Sequence, residues 1–161
     1  MSLNSFQSRL GALARAHDRL VSDEYQEIGL EDIIWSTADT LGVIRSRLDM
    51  DGENIRLSGR AGVMVAMAIH ELSTNAIKYG ALSNEVGSVI IRCRSLSADS
   101  DFFEITWTET GGPSVQTPSR QGFGSRLIRQ ALASTIGGSA HFAFEPSGLI
   151  CTISGRHSLN S

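Results

Sequence analysis

A long amphipathic helix, predicted from about Arg60 to Tyr79, constrains the fold more than any other feature of this sequence. Gly80 follows it, and glycine is a common residue just beyond a helix end. Because a helix turns about 100° per residue, apolar residues spaced three and four positions apart share one stripe. A helix of this kind has to bury its stripe against another layer of structure. The stripe consists of Val65, Ile69, Leu72 and Ala76.

The elements around this helix indicate what that other layer is. Helices dominate the first half of the chain, whereas strands that enclose one helix dominate the second half. This order lacks the regular alternation of a doubly wound sheet, so we predict an α+β fold, a two-layer sandwich with helices on one face of a mixed sheet. The predicted elements are a helix from Asn4 to about Asp23 that stands apart, a helix at Glu31–Leu41, a turn at Asp49–Asn54, strands at Ile55–Ser58, Val86–Arg94 and Phe102–Trp107, a loop at Glu109–Gly122, a helix at Ser125–Ile136, and a hairpin of Ala140–Phe144 and Leu149–Ser154.

Composition limits the class of protein. A chain of 161 residues suits one domain, with or without a short appendage. The net charge is −3 and no run of Lys or Arg occurs, so we expect neither a nucleic-acid surface nor a membrane-surface helix. No apolar run approaches the ~20 residues of a membrane-spanning helix, and the start lacks a signal peptide's apolar middle. Cys93 and Cys151 are too few for a disulfide framework, which favours reduced thiols and a cytoplasmic protein.

A second stripe on the long helix carries polar groups. Glu71, Asn75 and Lys78 are spaced i, i+4 and i+7, roughly opposite the apolar stripe. A solvent-exposed polar face is the simplest interpretation of such a row. The alternative is a magnesium site, because Mg²⁺ prefers oxygen ligands, keeps several waters and takes the rest of its shell from phosphate. In that case Lys78 would lie near the phosphates as a point charge.

Glycine-rich turns farther along the chain favour the magnesium interpretation. ETGG begins at Glu109, and GFG at Gly122 precedes a predicted helix. Glycines let the backbone approach a phosphate, and the first turn of the helix offers unpaired N–H groups. Alone, GFG would be only a tight turn. The chain has no GxxxxGK[ST] motif and no HRD or DFG motif, which argues against a P-loop protein and a eukaryotic-type protein kinase.

The motifs HELSTNAIKYG, WTETGG and GFGSRLI, in this order, resemble the ATP-binding domain of sensor histidine kinases. More narrowly, they resemble the HWE family, named for a His in one motif and a Trp-x-Glu in another. Here these are His70, and Trp107 with Glu109. The resemblance extends to LGALARAHDRL near the start and covers most of the chain. It implies the Bergerat ATP-binding sandwich, with ATP and Mg²⁺ as ligands.

The resemblance also implies roles for individual residues. Asn75 would bind Mg²⁺, with Glu71 as the nearby carboxylate. Glu71 would either hold a water bound to the Mg²⁺ or take the proton of the attacking nucleophile, and His70 would orient that carboxylate or the Mg²⁺-bound water. Glu109 would accept a hydrogen bond from the exocyclic amine of adenine, where most histidine kinases have Asp. The alternative for His70 is a hydrogen bond to a neighbouring loop, and the alternative for Trp107 is packing in the wall of the site. The other implied nucleotide-site residues are Lys78, Tyr79, Gly111, Thr152 as the hydroxyl that supports Glu109, and the second glycine box with Gly122, Phe123, Gly124, Ser125 and Leu127.

The resemblance further predicts how the chain is divided. Residues 1–24 would be the end of a dimerisation and phosphotransfer region, residues 25–157 the catalytic domain with an ATP lid from Pro113 to Gln121, and residues 158–161 a tail. No acceptor-His box is present, and His17 lies on an apolar seam that favours helix packing. We therefore expect the acceptor His on a separate part of a longer bacterial protein. The implied partners are that dimerisation domain and a response regulator, and a homodimer is compatible with them.

Two other functions fit the same motifs. An anti-sigma-factor-like serine kinase of the same ATPase superfamily would need no acceptor His. A non-catalytic nucleotide-binding module is the other alternative, although such a module would most easily lose the retained Glu71 and Asn75.

Overall fold

The computed structural model describes residues 27–95, 102–113, 130 and 138–156. The predicted N-terminal helix, most of the lid and the second glycine box lie outside these ranges. In chain order the described elements are β1 (Glu27–Gly29), α1 (Leu30–Leu41), a 3-10 turn (Arg45–Arg47), β2 (Leu48–Gly52), β3 (Arg56–Ser58), α2 (Gly59–Lys78), β4 (Ser88–Ser95), β5 (Phe102–Thr110), β6 (Ser139–Glu145) and β7 (Gly148–Arg156).

The main sheet has five strands in the order β2-β4-β5-β7-β6. β2 and β4 are parallel, and the other neighbours are antiparallel. The sheet is therefore mixed, as predicted. β1 and β3 form a separate two-stranded antiparallel sheet next to the start of α1, where the Leu30 N–H donates to the Ile55 carbonyl at 2.9 Å.

Both described helices lie against one face of the main sheet. Successive residues of a strand point to opposite faces, and β5 alternates between buried and half-buried positions along its whole length. The apolar stripe predicted on α2 is buried as expected, together with Leu30 and Ile34 of α1. The sheet side of the core is formed by Val89, Ile91, Cys93, Phe103, Ile105, Trp107, Cys151 and Ile153. The two-layer α+β fold is confirmed.

The opposite face of the sheet carries exposed charge pairs among the described residues. Arg92 forms a salt bridge of 3.2 Å with Asp51, and Arg94 forms one of 3.0 Å with Glu104. These pairs are exposed and contribute little to stability. They identify the side of the sheet that no described helix covers.

One predicted element is wrong. The Asp49–Asn54 segment was expected to be a turn, but Leu48–Gly52 forms β2 at the sheet edge. Asp and Gly are typical of turns, whereas here the side chains alternate as in a strand. Leu48 is buried, while Asp49 and Asp51 are exposed.

Among the described helices, none is long and apolar enough to cross a membrane.

Candidate functional site

The polar row of α2 lies along the border of the core. The Glu71 side chain is only 6% exposed, Asn75 is half-buried, and Lys78, the last residue of the helix, is exposed. The row was predicted roughly opposite the apolar stripe, and the burial of Glu71 corrects that placement. The exposure of the row therefore increases along the helix, from a buried carboxylate through a half-buried amide to an exposed cation. The row is not a fully solvated face.

The row has the donor types that suit Mg²⁺. Glu71 and Asn75 are one turn apart and supply a carboxylate and a carbonyl oxygen. The half-buried Asn75 side chain makes no hydrogen bond to other residues in the described ranges. Those ranges also contain no cluster of three or more His, Cys, Asp or Glu side chains placed to hold a metal. A carboxylate and an amide one turn apart are donors for an ion that takes few protein ligands and completes its shell with water and phosphate.

Glu109 and Trp107 form a buried pair at the end of β5. They are two residues apart, so they point to the same, helix-covered face of the sheet. The Trp107 indole Nε1 donates to Glu109 Oε2 at 2.9 Å. Glu109 is 3% exposed, and Trp107 is 1% exposed. The Trp-x-Glu motif is thus a structural unit in which the indole orients the carboxylate.

Glu109 also connects β5 to the segment that follows α2. The backbone N–H of Ala81 donates to Glu109 Oε1 at 3.0 Å. Burial raises the pKa of the Glu109 carboxyl, while the hydrogen bonds from Ala81 and Trp107 oppose that rise. An ionised carboxylate has about four lone-pair positions, so two donors leave acceptor capacity for a third.

The contact between these segments depends on glycines. A Cβ on Gly80 would collide with Glu109 Oε1, and a Cβ on Gly112 would lie 2.6 Å from the Ala81 Cα. Gly111 adopts φ +76°, which favours glycine, and its carbonyl accepts a hydrogen bond from Asn84 Nδ2 at 3.1 Å. The turn after β5 therefore packs directly against the backbone that follows α2.

Thr152 is not beside Glu109. Thr152 of β7 is paired with Thr106 of β5, whereas its neighbour Cys151 is paired with Trp107. Because paired residues share a face, Thr152 lies on the uncovered face and Glu109 on the covered one. The prediction that the Thr152 hydroxyl supports the Glu109 carboxylate is therefore wrong.

The other predicted site residues are placed as follows. Tyr79 is 75% exposed just beyond α2, at the same end of the helix as Lys78. His70 is half-buried beside Glu71. The second glycine box, with Gly122, Phe123, Gly124, Ser125 and Leu127, lies outside the described residues.

Two residues at this site were not predicted. Arg47 and Asn84 both bind the loop 81–87, which joins α2 to β4. The Asn84 Oδ1 accepts from the backbone N–H groups of Val86 at 3.1 Å and Gly87 at 2.8 Å. Asn side chains often accept hydrogen bonds from backbone N–H groups a few residues on, so the Ser83-Asn84 pair between α2 and β4 could have been identified as turn chemistry. No sequence signal identifies Arg47, because its partners lie 34 to 40 residues away.

The sequence is similar to those of histidine kinases. The model of the HWE histidine kinase family matches residues 2–54. The blue-light-activated histidine kinase of Brucella ovis is 35% identical over 150 residues, which are 92% of this chain and 31% of that protein. The protein of the same name from Brucella anthropi is 34% identical over 92% of this chain and 30% of its own length. The chain therefore spans less than a third of the length of either relative.

Solved structures share the fold. The histidine kinase domain of the EL346 blue-light activated histidine kinase from Erythrobacter litoralis matches with a TM-score of 0.65 and 18% identity, over 93% of this chain and 72% of that one. The nucleotide-free catalytic domain of the histidine kinase ThkA matches with a TM-score of 0.61 and 16% identity, over 83% of this chain and 97% of that one. The chain therefore shares the fold of these histidine kinase domains, and its residues 2–54 are similar to the HWE histidine kinase family.

Proposed function

We propose that this chain is the ATP-binding catalytic domain of a two-component histidine kinase. It would transfer the γ-phosphate of ATP to a His on another part of the parent protein, from which the phosphate passes to a response regulator. The observation that carries the proposal is the hydrogen bond between the Ala81 N–H and Glu109 Oε1. It brings the end of the helix with the polar row next to the turn that resembles an adenine-binding motif.

In this proposal the nucleotide lies along the exposed side of α2. Glu109 accepts a hydrogen bond from the exocyclic amine of adenine through its remaining lone pairs, and the glycines at 111 and 112 let the base approach the backbone. Asn75 contributes its carbonyl oxygen to Mg²⁺, and Lys78 lies at the phosphate end as a cation. When bound, Mg²⁺ would neutralise charge on the phosphates.

The transfer itself requires little covalent chemistry from this domain. A ring nitrogen of the acceptor His forms a bond to the γ-phosphorus, the bond to the bridging oxygen breaks, and ADP leaves. Glu71 would accept the proton that the imidazole loses. Since positioning and charge neutralisation dominate phosphoryl transfer, a domain that holds the nucleotide rigidly is sufficient.

The comparisons support the partners in this proposal. The relatives described above are histidine kinases, which favours this function over the serine-kinase alternative. The histidine kinase ThkA, which shares the fold, has been solved in complex with a response regulator protein. We infer a response regulator as the final phosphate acceptor and, because this sequence contains no acceptor-His box, an acceptor-His domain on another part of the parent protein.

A transfer assay tests the function directly. The chain is mixed with γ-labelled ATP, Mg²⁺ and a separate fragment of the parent kinase that carries the acceptor His. We expect acid-labile label on the His fragment, and much slower labelling with Glu71→Gln, because general-base catalysis typically contributes about 10²–10⁴-fold. If ATP binds and the His fragment stays unlabelled, the kinase function is wrong.

A further inference from the structure

The side chain of Arg47 reaches into the loop that follows α2. Arg47 closes the 3-10 turn before β2, and β2 runs parallel to β4 with Leu48 paired to Val89. The two strands therefore begin side by side. This places the guanidinium of Arg47 against the backbone that leads into β4.

The guanidinium donates to three backbone carbonyls of one loop. Nε and Nη2 contact the Gly87 carbonyl oxygen at 3.0 and 2.7 Å. Nη2 also contacts the carbonyl oxygens of Ala81 at 3.1 Å and Asn84 at 2.6 Å. Carbonyl groups that converge in this way need a shared donor, because a part-buried carbonyl without a hydrogen bond is costly. A half-buried cation supplies it, and hydrogen bonds to charged groups are the stronger kind.

The same loop makes two hydrogen bonds that join the end of α2 to β5 and to the turn after β5. Ala81 donates its N–H to Glu109, and Asn84 donates its side-chain amide to the Gly111 carbonyl. Arg47 thus binds one side of the loop, and the other side of the loop binds Glu109 and Gly111. Without Arg47, three carbonyls of this loop lose their contacts with a charged side chain.

We propose that Arg47 is a positioning residue of the nucleotide site. By fixing loop 81–87 it fixes the distance between the polar row of α2 and the Glu109 carboxylate. It touches neither adenine nor phosphate. The inference rests on the proposed function, since it assigns Arg47 to the ATP site proposed above.

Arg45 offers a matched control two residues away. Its guanidinium bonds to Asp39 at 3.2 Å and stacks over the Trp35 ring at 5.1 Å, and its side chain is 59% exposed. Replacing either arginine by methionine removes one positive charge and keeps a long apolar chain. Only the Arg47 variant should disturb loop 81–87.

The test measures loop order and nucleotide binding separately. Hydrogen exchange of peptides covering residues 80–88 is compared among the parent chain, Arg47→Met, Arg47→Lys and Arg45→Met. Competition binding then gives the affinities for MgADP and MgGDP. For Arg47→Met we expect faster exchange in this loop and roughly tenfold weaker MgADP binding, equal to about 1.4 kcal/mol. The preference for ADP over GDP should also fall, because a displaced Glu109 no longer meets the adenine amine.

The lysine variant separates a loss of loop positioning from a general loss of stability in the methionine variant. Its ammonium keeps the charge and three donors but lacks the planar fork, so exchange and affinity should lie between those of the parent and Arg47→Met. A loss of stability alone would weaken the binding of ADP and of GDP equally.

The inference is overturned if hydrogen exchange in the loop is unchanged in Arg47→Met, or if the loop exchanges faster while the ADP affinity and selectivity stay at parent values. A parent chain that binds no nucleotide would refute the proposed function, and the inference with it, whereas the exchange data would still show whether Arg47 orders the loop.

Discussion

At the scale of single residues, the site combines groups with very different surroundings. Glu109 is buried and held by two donors, whereas Asn75 lies half-buried at the edge of α2. Both were identified from sequence, because their motifs have a recognisable order and spacing. The role of Thr152 could not be predicted, since a residue's face depends on strand register, and register depends on the partner strand.

Asn75→Ala should abolish Mg²⁺-dependent nucleotide binding. The substitution removes the oxygen proposed to bind the ion and leaves the helix intact, because alanine has the highest helix propensity. Isothermal titration calorimetry with ATP, with and without Mg²⁺, measures the effect. Thr74→Ala is a suitable control, since the Thr74 hydroxyl bonds only the Glu71 carbonyl within the helix. An unchanged MgATP affinity in Asn75→Ala would refute the metal assignment.

The ionisation of Glu109 should make stability depend on pH. Burial raises its folded-state pKa above the ordinary value of 4.5, so the folded protein binds this proton more tightly than the unfolded chain. The resulting stabilisation is fully present below the unfolded pKa and is lost as pH rises through the folded pKa. The parent chain should therefore lose stability relative to Glu109→Gln as pH rises from about 4 toward neutrality.

Urea denaturation of both proteins at several pH values measures this difference. Each unit of pKa shift corresponds to about 1.4 kcal/mol. The glutamine cannot titrate, so it adds only a constant offset, and the titrations of other groups cancel in the comparison. A difference that stays constant between pH 4 and 8 would contradict the raised pKa.

At the scale of elements, α2 contributes to both the core and the site. Its apolar stripe was predicted from periodicity alone, because the 3.6-residue repeat gives a strong signal over 20 residues. The strand β2 was not predicted from the sequence. Its five residues include two Asp and a Gly, which are typical of turns, and these outweighed the alternation of Leu48 and Met50 with Asp49 and Asp51. Short edge strands with charged side chains give weak signals of this kind.

Leu72→Ala should destabilise the protein by about 2–5 kcal/mol, because Leu72 is 1% exposed and its removal leaves a cavity under α2. Thermal or urea unfolding measures the loss. Ile44→Ala is the matched control, since Ile44 is 67% exposed and its truncation should change stability by no more than about 0.5 kcal/mol. Equal effects of the two substitutions would show that the α2 stripe is not the core.

At the scale of the whole molecule, the site is assembled from segments that are distant in sequence. Glu109 binds a backbone group 28 residues earlier, and Arg47 binds one 40 residues later. The sequence indicated which motifs belong to the site, because each motif is local. It could not indicate which side chains hold the motifs together, since those contacts follow from the parallel pairing of β2 with β4 and from the loop that precedes β4.

The two cysteines make the integrity of the sheet directly measurable. Cys93 on β4 and Cys151 on β7 are both buried thiols, one on each strand next to β5. Burial, with a smaller effect from Glu53, raises the pKa of the Cys93 thiol to about 12, so very little reactive thiolate forms at neutral pH. An alkylating reagent should consequently label these positions only when the strands separate, and the rate of labelling would report that opening without any introduced probe.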